Sequence, residues 1–109
     1  MIRLTSSKHG PALIMQVSGR IDAVTAPDFE KACLEAIRSG ERIVVLDFGE
    51  AQYISSAGLR SLLVIGKSLQ EGGGGLRLAN VTGVVSQVFE LSGIYSLFPR
   101  FSTAEEAVG

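Results

Sequence analysis

The sequence predicts an α/β domain in which helices pack on a central mixed β-sheet of about four to five strands. Apolar runs of strand length alternate along the chain with amphipathic segments of helix length, an order that is typical of a layered α/β fold. The chain has 109 residues, of which 46% are hydrophobic and 19% are charged, which suits one domain with a real core. We therefore expect a single domain over residues 1–109, with parallel pairing wherever a helix connects two strands.

A hairpin is predicted to open the fold. Its strands cover Ile2–Ser6 and Ala12–Ser18, with a turn at 9–11. The second run has Leu13, Met15 and Val17 on one face and Ile14 on the other, which suits a half-buried hairpin strand. Gly19 is expected to end the second strand, and residues 20–22 are expected to form a loop.

The first helix is predicted to begin at Thr25 as its cap, with Pro27 in the first turn and Asp28 completing a near-capping box. Ser39 and Gly40 are expected to end it. Its inward stripe contains Phe29, Cys33, Ala36 and Ile37.

The second half of the chain alternates strands and helices. The β-branched run Ile43–Leu46 predicts a strand covered on both faces, which ends at 47–48 and is followed by a short loop. A helix is predicted from Ser56 to Glu71, with an inward stripe of Leu59, Leu62, Leu63, Gly66 and Leu69.

The C-terminal part continues this alternation. Leu76–Ala79 is predicted as a strand, and a helix is predicted from Thr82 with Gly93 as its C-cap. The apolar positions of that helix are Val84, Val85, Val88, Phe89 and Leu91. A short extended piece over 98–101 and a capping box at 102–105, which opens a final helix, complete the prediction.

Composition argues against several classes of function. The net charge is −1, and no run of Lys or Arg is present, so we expect no nucleic-acid partner. No apolar stretch is long enough for a signal peptide or a membrane span, so we expect no membrane association and a cytoplasmic location.

The residues that could carry enzyme chemistry are few. Cys33 is the only cysteine and is interpreted as a core residue, while His9, the only histidine, is interpreted as a solvated turn residue. Asp22 and Asp47 are candidate catalytic carboxylates, but the sequence has no second histidine and no cluster of residues with the spacing of metal ligands. The run Gly72–Gly75 follows a helix and precedes a strand, the reverse of a phosphate loop, so we interpret it as a flexible connection. We expect no enzyme activity, no metal and no cofactor.

The segment Tyr53–Leu59, with the sequence YISSAGL, is the most informative part of the chain. One interpretation is structural: a serine caps a helix, and Gly58 allows close packing in the first turn. The other is regulatory, because the unpaired N–H groups and the dipole at a helix N-terminus favour an anion. A phosphoryl group on Ser56 would add about −1.5 to −2 charges there while leaving the core intact.

Over nearly its full length the sequence resembles the STAS domains of bacterial anti-sigma factor antagonists. The resemblance includes the opening hairpin, Gly19–Asp22 before the first helix, the segment 43–48 and, most specifically, 53–59 with the apolar helix after it. It implies that Ser56 is the phosphorylated serine, that Gly58 is the glycine of the family motif and that Asp22 lies near Ser56. Ser55 stands where the commonest family members have Asp, so Ser55 is an alternative acceptor.

The resemblance also implies a partner-switching mechanism. The unphosphorylated antagonist would bind an anti-sigma factor that is a serine kinase of the histidine-kinase-like ATPase fold, and this binding would release a sigma factor. Phosphorylation would eject the antagonist, and a PP2C-type serine phosphatase would reset it. The predicted contact face comprises Asp22, Ala23, Val24, Thr25, Ser55, Ser56, Gly58, Leu59 and Arg60.

Three alternatives remain open from the sequence. The same switch could act on a secretion system or a signalling enzyme instead of a sigma factor. The chain could be a non-phosphorylated STAS subunit of a transporter, such as a lipid-trafficking ATPase, with Ser56 only a helix cap. A nucleotide-binding module is the third alternative, although no phosphate-loop context supports it.

Overall fold

The computed structural model describes residues 2–109 of the chain. Strands and helices alternate through these residues after an opening hairpin. In chain order they are β1 (Ile2–His9), β2 (Ala12–Ile21), α1 (Ala26–Arg38), β3 (Ile43–Ile54), α2 (Ser56–Glu71), β4 (Gly75–Ala79), α3 (Gly83–Ser92), β5 (Arg100–Phe101) and α4 (Ala104–Val108).

The strands form one mixed sheet in the order β1-β2-β3-β4-β5. The hairpin pair β1 and β2 is antiparallel, and every later neighbouring pair is parallel because a helix separates its strands in sequence. The predicted α/β class, the mixed sheet and the parallel pairing are therefore confirmed.

The two faces of the sheet differ in how they are covered. One face carries the large core, in which apolar side chains of α1, α2 and α3 meet those of β2, β3 and β4. The other face carries a small cluster of Ala12, Val45, Ala79, Ala104 and Ala107, which only the short helix α4 covers. The prediction that β3 is covered on both faces is correct, although the apolar cluster under α4 is much smaller than the core on the other face.

Two strands are longer than the sequence analysis predicts. Gly19 does not end β2: the register shifts on either side of the segment 18–19, and pairing then continues to Ile21. Gly19 adopts a φ of +98° at this irregularity, a conformation that glycine accepts without steric cost. Residues 49–52, predicted as a loop, belong to β3, in which Glu50 pairs with Ser18 and Ala51 pairs with Gly19.

The helix boundaries agree with prediction within a residue or two, but some details differ. Leu63 of α2, predicted to face inward, is exposed, whereas Ile65 is fully buried. The apolar residues Val84 and Leu91 of α3 are exposed as well. The cap of α4 is Thr103, whose side-chain oxygen accepts from Glu106 N at 3.1 Å, one position later than the predicted box. The extended piece near the C-terminus covers only Arg100–Phe101.

Cys33 and the glycine run occupy the places that the sequence predicts. Cys33 is fully buried, and burial raises the pKa of its thiol to about 12. The glycines connect α2 to β4, and Gly74 approaches the carbonyl of Arg42 so closely that a side chain there would collide with it. None of the helices within residues 2–109 is long and apolar enough to cross a membrane.

Candidate functional site

The two segments that the sequence analysis selected, around Asp22 and around Ser56, lie side by side. β2 and β3 are parallel neighbours, and Ile21 pairs with Ile54 at their carboxyl ends. The backbone N–H of Ser55 donates to the carbonyl of Ile21 at 2.8 Å. This hydrogen bond holds the loop after β2 next to the start of α2, at the carboxyl ends of the two strands.

Ser55, and not Ser56, caps α2. Ser55 has an extended backbone, and its side-chain oxygen accepts from the backbone N–H of Gly58 at 3.4 Å. Ser56 is the first helical residue and is exposed. The first hydrogen bond of the helix runs from Leu59 N to Ser55 O, so the backbone N–H groups of residues 56 and 57 have no acceptor within the helix. These free N–H groups make the start of α2 electropositive.

Gly58 allows α2 to begin directly against the ends of the strands. A Cβ atom at this position would lie 2.6 Å from Ile54 Cγ1 and 2.8 Å from Ile21 Cγ2. Both distances are too short for real carbon contacts, so only glycine permits this approach without rearrangement. The predicted close packing at Gly58 is confirmed.

Asp22 organises the loop between β2 and α1. Its Oδ1 accepts from the backbone N–H groups of Val24 at 3.0 Å and Thr25 at 3.1 Å. The bond from Thr25 N is the main reason that the pKa of Asp22 lies below its ordinary value. The loop is therefore held in one shape by a group that carries negative charge at neutral pH.

Thr25 does not cap α1 with its side chain, contrary to the prediction. Its hydroxyl donates to the carbonyl of Arg20 at 2.7 Å and accepts from Asp22 N at 2.9 Å. The side chain points back into the loop, where it is only 7% exposed. Thr25 and the buried Gly58 thus shape the predicted contact face without presenting side chains on it.

The remaining predicted contact residues form a mixed apolar and charged surface. Val24 is 83% exposed at the tip of the loop, and Ala23, Ser56 and Arg60 are exposed as well. Leu59 is half-buried and packs against the core, so only part of its side chain reaches the surface.

Sequence reasoning missed a depression between α1 and α2 beside Ser56. It has a volume of about 220 Å³ and is lined by Ala23, Ala26, Pro27, Glu30, Ala57, Arg60 and Ser61. Ser61 is buried and donates to Glu30 Oε1 at 3.0 Å. Small residues at the helical spacing Ala57–Ser61 are the signal that could have indicated this close, indented contact.

Other side chains that could take part in chemistry lie away from this site. His9 is exposed at the end of β1, where its Nε2 lies 3.1 Å from Ser7 Oγ. Asp47 is nine-tenths buried, and its Oδ1 accepts from Gly49 N and Asn80 Nδ2. Within residues 2–109 no three His, Cys, Asp or Glu side chains are grouped to hold a metal ion.

Comparison with known proteins assigns the chain to a family. The model of the STAS domain family matches residues 3–107. This chain belongs to the STAS domain family. It is 39% identical over 106 residues to BtrV of Bordetella bronchiseptica, a relative named as an anti-sigma factor antagonist, with 97% of this chain and 91% of BtrV covered.

Two further similar proteins extend the comparison. The anti-sigma-F factor antagonist RsfB of Mycobacterium tuberculosis is 26% identical, with 98% of this chain and 87% of RsfB covered. The crystal structure of an anti-sigma factor antagonist from Mycobacterium paratuberculosis superposes with a TM-score of 0.90 at 25% identity, covering 99% of this chain and 92% of that one. The resemblance found in the sequence is therefore confirmed at the level of family and fold.

Proposed function

We propose that this chain is an anti-sigma factor antagonist whose binding is switched by phosphorylation of Ser56. The observation that carries the proposal is the exposed position of Ser56 as the first residue of α2, beside the rigid loop of Asp22. The names of the two relatives, BtrV and RsfB, support the same role. We propose that the chain acts in the cytoplasm as a binding module and not as an enzyme.

The position of Ser56 suits a modification that changes the surface and spares the fold. A phosphoryl group there would meet the free N–H groups at the helix N-terminus, which favour an anion. The cap at Ser55 and the packing at Gly58 involve other atoms, so neither has to change. The added charge would therefore act on a partner and leave the core in place.

Electrostatics explains how such a charge would release a partner. The phosphoryl group would lie on the same edge of the sheet as the carboxylate of Asp22, so negative charge would accumulate on one small surface. A partner that fits this surface in the unphosphorylated state offers no cation of its own for that charge, and burying it costs several kcal/mol. Since about 1.4 kcal/mol corresponds to a tenfold change in affinity, binding would be lost.

The proposed partners follow from this switch. The unphosphorylated chain binds an anti-sigma factor that is also a serine kinase of the histidine-kinase-like ATPase fold. ATP and its metal ion belong to that kinase, and a PP2C-type phosphatase removes the phosphoryl group. The proposed contact face consists of Ala23, Val24 and Arg60 around Ser56, with Asp22 fixing the loop and the depression beside α1 receiving a partner side chain.

The choice between the two serines can be tested by mapping the phosphorylated residue. Wild type, Ser55→Ala and Ser56→Ala are incubated with native lysate, ATP and Mg²⁺, and tandem mass spectrometry locates the phosphoryl group. We expect the Ser56 peptide to be modified in wild type and in Ser55→Ala and unmodified in Ser56→Ala. Modification at Ser55 alone, or none in any of the three proteins, would contradict the proposal.

A further inference from the structure

A second cavity lies on the sheet face opposite α1 and α2, outside the proposed switch site. Its volume is about 430 Å³. Ala104, Glu105 and Val108 of α4 form one side of it, and residues of the hairpin β1–β2 together with Asp47 of β3 line the rest. It exists because α4 is only five residues long and covers β3 and β4 without reaching β1.

The floor of this cavity is a row of polar side chains across three strands. Asp47 of β3 pairs in register with Gln16 of β2, which pairs with Thr5 of β1. Thr5 Oγ1 lies 3.4 Å from Gln16 Oε1. These three positions are on the face of the sheet that also carries Ile14, and all four residues line the cavity.

Asp47 is the group in this row that points to a ligand. Its side chain is nine-tenths buried, and one carboxylate oxygen, Oδ1, accepts both of its hydrogen bonds, from Gly49 N at 2.9 Å and Asn80 Nδ2 at 3.0 Å. The other oxygen, Oδ2, has no hydrogen-bond partner among residues 2–109, and it is not sealed from solvent. A buried carboxylate with a free oxygen at a cavity is a strong acceptor for a charged donor.

The charge of the lining specifies the kind of donor. Two carboxylates, Asp47 and Glu105, line the cavity, and none of its lining residues is Lys or Arg. His9 is the single ring base at the rim. Ile14, Ala104 and Val108 supply apolar surface beside the polar row, so the cavity combines an acidic floor with a hydrocarbon wall.

We propose that this cavity binds a small organic cation, with an ammonium or guanidinium group donating to Asp47 Oδ2. The carbon chain of the ligand lies against Ile14, Ala104 and Val108. A metal ion fits less well, because within the described residues no group of three metal-ligating side chains is found. The inference is independent of the proposed phosphorylation switch, since the cavity and Ser56 lie on opposite faces of the sheet.

The proposal can be tested by titrating the full chain with agmatine and with 1,4-diaminobutane while amide shifts are followed by NMR. The uncharged 1,4-butanediol serves as the control ligand. We expect saturable shifts at Ile14, Gln16 and the α4 amides with the cations and none with the diol. Comparing the two affinities shows whether exchanging one ammonium group for a guanidinium group strengthens binding.

Two variants test the role of the carboxylate. Asp47→Asn keeps an oxygen for Gly49 and Asn80 and removes the charge, and Gln16→Lys places a competing cation beside Asp47 from an exposed strand position. We expect at least a tenfold weaker binding in both, and unchanged binding in the control Gln52→Lys, which lies outside the cavity. If Asp47→Asn does not fold, Gln16→Lys decides alone. Absence of saturable shifts at 10 mM cation, or equal affinity in wild type and the folded cavity variants, overturns the proposal.

Discussion

Ser55 and Ser56 are neighbours with different physical roles, and the structure separates them. Ser55 caps α2 through its hydrogen bond with Gly58 N, whereas Ser56 is exposed and has no capping role. The interpretation of Ser56 as the helix cap is therefore wrong for this chain, and a structural reason for a serine at position 56 is missing. Its exposed hydroxyl is accessible to a kinase, as the proposed switch requires.

This separation predicts different stabilities for two alanine variants. Ser55→Ala removes the acceptor of Gly58 N and should lower the free energy of unfolding by about 1 kcal/mol. Ser56→Ala should change the free energy of unfolding by less than about 0.5 kcal/mol, because it removes only an exposed hydroxyl group that has no hydrogen-bond partner in the fold. Urea denaturation of both variants beside wild type measures the difference. A larger loss for Ser56→Ala than for Ser55→Ala would reverse the assignment.

At the scale of elements, the start of α2 depends on its contact with the ends of β2 and β3. Gly58 makes this contact possible, since a methyl group there would meet Ile54 and Ile21 at less than 3 Å. The same contact brings Ser56 to the Asp22 loop. The geometry of the site is thus set by packing between three elements.

Gly58→Ala should therefore destabilise the fold by about 1–3 kcal/mol, the usual effect of overpacking. The matched control is Gly75→Ala in β4, where an added methyl group meets nothing within 4 Å, so its stability should be equal or slightly higher. Denaturant midpoints of the two variants provide the comparison. Equal stability of Gly58→Ala and wild type would show that α2 can shift away from the strands.

The same elements show where local sequence patterns stop being informative. Periodicity located α2 correctly but rotated its inward face, because hydrophobicity alone placed Leu63 inside and ignored Ser61. The structure buries Ser61 against α1, where Glu30 satisfies its hydroxyl, and leaves Leu63 44% exposed. A small residue permits close helix packing, and no count of apolar positions reveals this.

Loop chemistry was the other source of error. Thr25 has the sequence features of a helix cap. In the structure, however, Asp22 accepts from the backbone N–H of Thr25, and the Thr25 hydroxyl donates to the carbonyl of Arg20. Gly19 was predicted to end β2, whereas pairing with β3 carries the strand through an irregularity at that glycine. The continuation of β2 depends on its long-range pairing with β3, which a local pattern does not contain. The contacts of Thr25 lie within residues 20–25 and depend on the conformation of that loop.

At the scale of the whole molecule, the STAS sheet presents two separate surfaces. The surface near Ser56 lies on the side that α1, α2 and α3 cover. The cavity lined by Asp47 and Glu105 lies on the opposite face, which α4 covers only in part. The family and the α/β order could be predicted from the sequence, because a motif and regular alternation carry them. The resemblance to STAS domains predicted that the Asp22 loop lies beside the start of α2, where Ser55 N bonds to the carbonyl of Ile21. The cavity could not be predicted, since it depends on the short reach of α4 over a five-stranded sheet.

The central claim is that charge at Ser56 decides whether a partner is bound. The most direct measurement is a pull-down from native lysate with wild type, Ser56→Ala and Ser56→Asp as baits, and with Gln87→Glu as a control that adds a negative charge to an exposed position of α3. We predict that a kinase-fold protein is retained by wild type, Ser56→Ala and Gln87→Glu and is lost from Ser56→Asp. Recovery of the same proteins by all four baits would contradict the claim and would favour a non-phosphorylated STAS scaffold.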